Sequence, residues 1–336
     1  MTDYYGRRSV MRHGSYSWRR RQVQKKWQNL VSIFITVVLL LALFNGLARG
    51  LTLADYLGSS SWSSSSSLAV AAASSPGAVL IYQNDPGRLM LLTFKGNVYW
   101  ATGNPQKPAL AIADIFSQYT GTEMTGLLSQ IARVPIGHFL IFENELVADR
   151  KSFEKIFKNF ASPVTPFKIL GKGIDSIADT NLTRGDLIRL WWQVKSLGVD
   201  DLHLVDVDAF EELVLPGGQK VSGVDSASLH RTISQYLENK KLFESGAQIV
   251  VQNASGAGGA GVLAGDFVTS VGASVKKVEM IDGEREKSQI VAGSENSHEA
   301  AYLAKIFECD IKSLPSLNKS EIIVIIGRDF AQKYLK

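Results

Sequence analysis

The sequence has little of what covalent and metal chemistry usually draws on. Its 336 residues include one cysteine, Cys309, so an intramolecular disulfide and a cysteine metal cluster are both excluded. The apolar neighbours of Cys309 (Ala304, Ile306, Phe307) suggest a small core residue. Five histidines, His13, His138, His203, His230 and His298, lie too far apart to form a metal-ligand spacing, and no metal is expected. No G-x-S-x-G stretch occurs, so a nucleophile elbow is unsupported. No catalytic, cofactor-binding or metal-binding residue is assigned, and no cofactor is expected. A large excess of one charge is also missing. Lys and Arg number 36 against 32 Asp and Glu, and eight of the basic residues fall within the first 26. The rest of the chain is close to neutral or mildly acidic. The basic character therefore reflects a tail drawn to anionic lipid headgroups, and no nucleic-acid partner is expected.

Long apolar runs are absent but for one. Leu30–Leu47, LVSIFITVVLLLALFNGL, carries no charge. As a helix rising about 1.5 Å per residue it reaches roughly 27 Å, enough to cross the hydrocarbon core of a bilayer. A core helix would show polar positions at helical spacing. A cleaved signal peptide would have a shorter run followed closely by a small-x-small site, and the clearest one here, Ala71-Ala72-Ala73, is far downstream. The expectation is an uncleaved anchor. Arg7, Arg8, Arg12, Arg19, Arg20, Arg21, Lys25 and Lys26 precede it and only Arg49 closely follows. The N-terminus is thus expected in the cytoplasm and the remainder outside, as a single-pass protein of the cell membrane.

The stretch after the anchor, SSSWSSSSSLAVAAASS at about 59–75, reads as a low-complexity linker. Beyond it, short apolar runs alternate with amphipathic ones. Ala78–Tyr82, Leu89–Phe94, Val98–Ala101, His138–Phe142 and Leu202–Val207 read as strands. Pro108–Tyr119, Glu123–Val134, Asp149–Phe160, Thr180–Val194 and Ser226–Asn239 read as helices. Phe153, Ile156, Phe157 and Phe160 fall on one side of their helix. Asn181 or Thr183 suits the next helix's N-cap. A second region combines strands at Gln248–Gln252, Val275–Ile281, Ile290–Ala292 and Glu321–Ile326 with helices at Gly261–Val271 and Ser297–Phe307. The predicted fold class is α/β: an N-terminal transmembrane helix, a Ser/Ala linker, a mixed α/β domain and a small C-terminal α/β sandwich.

Three features invite a sharper function. Gly256-Ala257-Gly258-Gly259-Ala260-Gly261 fits G-x-G-x-x-G between a strand and a helix, with Glu279 or Asp282 about twenty residues on, as in dinucleotide binding. The unit is too short for a two-halved nucleotide fold, so a turn for tight strand–helix packing is preferred. Asp200, Asp201, Asp206, Asp208, Glu211 and Glu212 make an acidic run, read as a solvated edge before a cation site. Trp191-Trp192 reads as core before a glycan platform.

Residues 250–256, Val-Val-Gln-Asn-Ala-Ser-Gly, with Val271-Gly272-Ala273-Ser274-Val275, resemble the LytR C-terminal domain, Ala273 standing where that family has an aromatic. Glu299–Ala304 and Glu321–Phe330, ending Gly327-Arg328-Asp329-Phe330, fit its later part. The preceding region resembles the LytR-CpsA-Psr domain at Ala132–Phe139 and at Thr180-Asn181-Leu182-Thr183. That resemblance implies a membrane-anchored protein handling lipid-linked glycopolymer at a bacterial cell wall, with arginines, acids and a divalent metal on a pyrophosphate. This chain departs at that site. Where the family has Ser-Ile-Pro-Arg-Asp, residues 93–97 put Gly96 for the arginine and Asn97 for the acid, and Asp85-Pro86-Gly87-Arg88 is a reduced remnant.

The expected organisation is a basic cytoplasmic tail (1–28), a transmembrane helix (29–48), a Ser/Ala-rich linker (49–75), a degenerate LytR-CpsA-Psr-like domain (76–243) and a LytR C-terminal domain (246–336). The expected function is a non-catalytic binding or scaffold module of the cell envelope, not an enzyme. Its partners are the membrane and cell-wall polymer or other envelope proteins. The alternative is a divergent phosphotransferase using Arg88, Asp85 and Lys95, attaching lipid-linked glycopolymer to the wall. A nucleotide enzyme built on Gly256–Gly261 is the third reading.

Overall fold

Six residues that read as linker form an inner strand of the largest sheet. Leu68–Ala73 (β1), LAVAAA, is buried at every position in the computed structural model. That corrects the expected 49–75 linker. The strand pairs with 78–82 next to it and with 138–141 far away, and its own Ala-rich composition carried no sign of either. The structure describes Leu57, Trp62 and, from Ser66 to Leu335, all but short stretches at 74–76, 95–97, 105–106, 144–149, 172–173, 175–176, 208–209, 216–217, 295–296 and 319. The predicted tail and the 29–48 helix lie outside the described residues. Among those described, no helix is long and apolar enough to cross a membrane. The chain divides into two units, Met1–Gly58 and Ser59–Lys336, and the elements below belong to the second.

After β1 come Ala78–Gln83 (β2), Arg88–Thr93 (β3), Val98–Asn104 (β4) and Lys107–Ala111 (β5). Ile112–Gln118 (α1), Gly121–Ala132 (α2), His138–Phe142 (β6), Arg150–Phe160 (α3), Thr165–Leu170 (α4), Ile177–Thr180 (β7) and Arg184–Val194 (α5) follow. Leu202–Asp206 (β8), Phe210–Val214 (β9), Lys220–Val224 (β10), Ser226–Leu237 (α6) and Lys240–Glu244 (α7) complete the middle region. The C-terminal region holds Gln248–Asn253 (β11), Ala260–Ser270 (α8), Ser274–Met280 (β12), Gln289–Ala292 (β13), His298–Ile306 (α9), Asp310–Ser313 (β14), Glu321–Ile326 (β15) and Arg328–Tyr334 (α10). The expected helix at 108–119 begins later, because residues 107–111 pair with β4.

The largest sheet runs β7-β6-β1-β2-β3-β8, with β1 parallel to β6 and antiparallel to β2. Both of its faces are covered, which explains why β1–β3 are apolar without alternation. Ala69, Ala71, Val79, Ile81, Met90 and Leu92 face one core with α1, α2 and α6. Leu68, Val70, Ala72, Leu89 and Leu91 face the other, with α3 and α5. A four-stranded sheet, β5-β4-β10-β9, flanks the first core. The C-terminal sheet runs β12-β11-β15-β13-β14 and packs α8, α9 and α10 around Phe267, whose ring meets Phe330 and Tyr334 edge to face. These hydrophobic cores lie between residues 62 and 334, so the Ser59–Lys336 unit carries its own.

The two regions are joined tightly. Helix α2 packs on α10, and a Cβ at Gly126 would sit 2.3 Å from the Lys333 carbonyl oxygen. Arg133, left-handed at the end of α2 (φ 55°), sets its Nε 2.8 Å from Asp266 of α8 and gives its carbonyl to His230 Nδ1 at 2.9 Å.

Candidate functional site

The α3 sequence puts Phe153, Ile156, Phe157 and Phe160 on one stripe and Lys151, Lys155 and Lys158 on the opposite, exposed side. The apolar stripe faces the sheet, but does not fill the space above it. On the floor of that space stand Ala72, Leu80, Leu89, Leu91, Leu140 and Phe142. Leu187, Leu190 and Val194 of α5 make a wall, and Val164, Thr165 and Lys168 of the α4 segment close one side. The result is a cavity of about 610 Å³. Its size falls within the range of ligand-binding clefts. Its apolar walls suit a hydrocarbon chain.

Polar groups are confined to the α3–α4 end. They are Asn159, Ser162, Thr165 and Lys168, the last being the one charged residue among the described lining. The turn there is held internally: Thr165 Oγ1 donates to the Asn159 carbonyl at 3.0 Å, and the Trp191 indole donates to the Ser162 carbonyl at 2.9 Å. The α5 wall is fixed by a capping box. Thr183 Oγ1 accepts from the Asp186 backbone N–H at 3.1 Å, and the Asp186 carboxylate accepts from the Thr183 N–H at 3.2 Å. Thr183 is thus the cap, one of the two residues expected for that role.

The residues proposed for phosphoryl transfer are not brought together at this cavity. Arg88 shares the sheet face of Met90, opposite to Leu89 and Leu91, and borders a second depression with Arg150, His203 and Tyr236. Asp85 is exposed in the β2–β3 turn, and Lys95, Gly96 and Asn97 lie outside the described residues. The glycine-rich turn serves packing: Gly256 (φ 73°) and Gly259 (φ 83°) are left-handed, and a Cβ at Gly261 would lie 3.1 Å from Asn253 and Val278. Asn253 laces the turn, accepting from Ser255 and donating to the Ala257 carbonyl. Glu279 accepts from Gln252 and pairs with Lys277, and Asp282 is exposed.

The acidic run is dispersed. Asp201 accepts from the Gly198 N–H, Asp206 from Thr93, and Glu212 pairs with Lys220, while Asp208 is outside the described residues. No metal-holding group of His, Cys, Asp and Glu occurs among the described residues. Cys309 packs against the C-terminal core, where burial and the nearby Asp329 and Asp310 push its thiol up to about 12. Trp192 departs from its expected core place: it is 61% exposed, while Trp191 is half-buried. The cavity itself was missed by sequence reasoning, although the aromatic stripe of α3 was its one visible wall.

Residues 246–330 match the family model described as LytR cell envelope-related transcriptional attenuator. That part of the chain is a LytR C-terminal domain, as its motifs suggested. No curated protein matches the chain in sequence. Solved structures similar to it include TagV of B. subtilis, at 8% identity over 51% of this chain and 96% of that one, with a TM-score of 0.38. Another is the LytR-CPS2A-psr family protein YwtF (TagT) with bound octaprenyl pyrophosphate lipid, at 9% identity over 52% and 92%, with a TM-score of 0.36. A third is a transcriptional regulator from Enterococcus faecalis, at 10% identity over 51% and 85%, with a TM-score of 0.38. Scores at this level decide neither fold nor ligand.

Proposed function

We propose that the protein is a membrane-anchored, extracytoplasmic component of the cell envelope whose middle domain holds the apolar chain of a lipid-linked cell-wall polymer without catalysing its transfer. The observation that carries this reading is the cavity, with apolar walls and polar groups at one end. An apolar chain leaving water gains about 0.8 kcal/mol per methylene, so a tail buried here supplies the affinity and a polar head remains at the Lys168 end. The LytR C-terminal domain supports an envelope role. The uncharged 30–47 run and its basic flank support anchoring. The non-catalytic reading is supported by the described lining, whose one charged residue is Lys168 and which includes no arginine of the kind that a pyrophosphate in transfer requires.

The second reading, a divergent phosphotransferase, is favoured by Arg88 and Arg150 bordering one depression. The detergent-solubilised full chain, titrated with a fluorescent polyprenyl phosphate, separates them. Micromolar binding, lost in the cavity-filling Leu91→Trp and Leu187→Trp, is expected. Equal binding by the filled variants overturns the cavity reading. Turnover of a lipid-linked pyrophosphate substrate with Mg²⁺, abolished by Arg88→Ala, establishes the phosphotransferase instead.

A further inference from the structure

Of ten large apolar side chains exposed among the described residues, four gather where α4 closes the cavity: Val164, Phe167, Leu170 and Trp192. Phe167 is 75% exposed, in the helix that lends Thr165 and Lys168 to the cavity lining. Trp192 is joined to the same corner through Trp191, whose ring centre lies 5.9 Å away and whose indole N–H bonds Ser162. The Lys195 ammonium stands 3.1 Å from the centre of the Trp192 ring. Charge is concentrated here as well. Lys151, Lys155 and Lys158 are exposed on α3 and Lys168 on α4, with Glu154 the one acid on those two helices, whereas residues 59–336 together hold 27 basic and 30 acidic side chains. Exposed Phe and Trp among lysines is the composition of a surface that lies in a lipid headgroup layer. Protein–protein interface centres are instead depleted in lysine.

We infer that this face docks on an anionic bilayer surface, with Phe167 and Trp192 in the headgroup–acyl boundary and the neighbouring lysines on lipid phosphates. The inference rests on the reading of the cavity as a lipid-chain site and adds how the chain arrives. Each methylene exposed to water disfavours transfer about fourfold, so a long tail does not cross an aqueous gap. A cavity whose closing helix lies on the bilayer receives the tail directly.

The Ser59–Lys336 unit, free of the predicted anchor, is floated with vesicles of phosphatidylcholine alone or with an equal part of phosphatidylglycerol. Binding to the anionic vesicles, weakened by salt, is expected. Lys195→Glu lowers it at least about fivefold and Phe167→Asp about tenfold or more. Neither variant alters binding of a short fluorescent isoprenoid in vesicle-free solution, because neither side chain lines the cavity. Failure of the unit to float, or unchanged flotation of both variants, overturns the docking face and leaves the cavity standing. Flotation without isoprenoid binding does the reverse. Unchanged circular dichroism spectra confirm that the variants are folded.

Discussion

Asn181 brackets the backbone of His138: its Oδ1 accepts the Phe139 N–H at 3.0 Å, and its Nδ2 donates to the Gly137 carbonyl at 2.8 Å. Thr180 adds a bond from its hydroxyl to the Phe139 carbonyl at 2.7 Å. The two sequence stretches that resemble the LytR-CpsA-Psr domain, 132–139 and 180–183, thus meet and fasten β6 to the segment leading into α5. Asn181→Ala is expected to cost about 1–2 kcal/mol, since two hydrogen bonds are lost at an exposed side chain. Asn181→Asp keeps the acceptor but sets a carboxylate oxygen against the Gly137 carbonyl, and is expected to cost at least as much. Urea unfolding of the Ser59–Lys336 unit measures both.

Thr183→Ala removes the side-chain cap of α5, and is expected to cost about 1 kcal/mol. Because α5 forms a cavity wall, the same variant should weaken isoprenoid binding by a few-fold. Isothermal titration and thermal melts separate the two effects, and an unchanged affinity would mean that the wall is held by packing alone.

His138 is half-buried at the junction of the two regions, and its Nδ1 is buried with no hydrogen-bond partner. Burial holds its pKa below the ordinary histidine value, against the opposing pull of Asp186 and Glu308, with Lys333 adding to the depression. The unfolded chain therefore takes up a proton that the folded chain refuses. Stability is full above about pH 6.5 and falls as the pH drops below it, until the folded group itself titrates. His138→Gln should flatten the melting temperature between about pH 6.5 and pH 5. A parallel decline in wild type and variant would assign the acid sensitivity to other groups.

Gly126→Ala drives a methyl group towards the Lys333 carbonyl. The expected loss is about 1–3 kcal/mol, or a melting temperature lower by roughly 2–4 °C per kcal/mol. Gly258→Ala, with nothing within 4 Å of the added Cβ, is the matching substitution expected to change nothing measurable.

Asp329 accepts from the Ser288 N–H and hydroxyl and from the Phe330 N–H, while Ser288 Oγ accepts from the Gly327 N–H. Asp329→Ala strips the acceptor from several donors at once and should cost about 2–3 kcal/mol. Chemical denaturation followed by Tyr and Trp emission provides the test.

That network explains why the C-terminal domain was legible. Gly327-Arg328-Asp329-Phe330 is a local motif in which each residue has its own structural task, as is the glycine turn that Asn253 laces. The amphipathic stripe of α3 was legible for the same reason, since helical periodicity is written in consecutive residues. The strand β1 was not. Alanine and serine favour no strand, and β1 is held between its neighbour β2 and, some seventy residues away, Phe139 and Leu140 of β6. The cavity was illegible because its walls come from separate strands and helices and its volume depends on what Ala72 does not fill. Trp192 misled because an aromatic pair on one helix looks like core until the packing reveals that only its neighbour turns inward.

The buried Trp62 also sets a leash. Its indole donates to the Ser66 carbonyl and its ring meets Tyr82 edge-on, so the chain is fastened to the globular body from that point. Between Leu47, where the uncharged run ends, and Trp62 there are 14 residues. Even drawn taut they span no more than about 50 Å. Under the anchoring proposed above, a body on so short a line works close to the surface it is moored to.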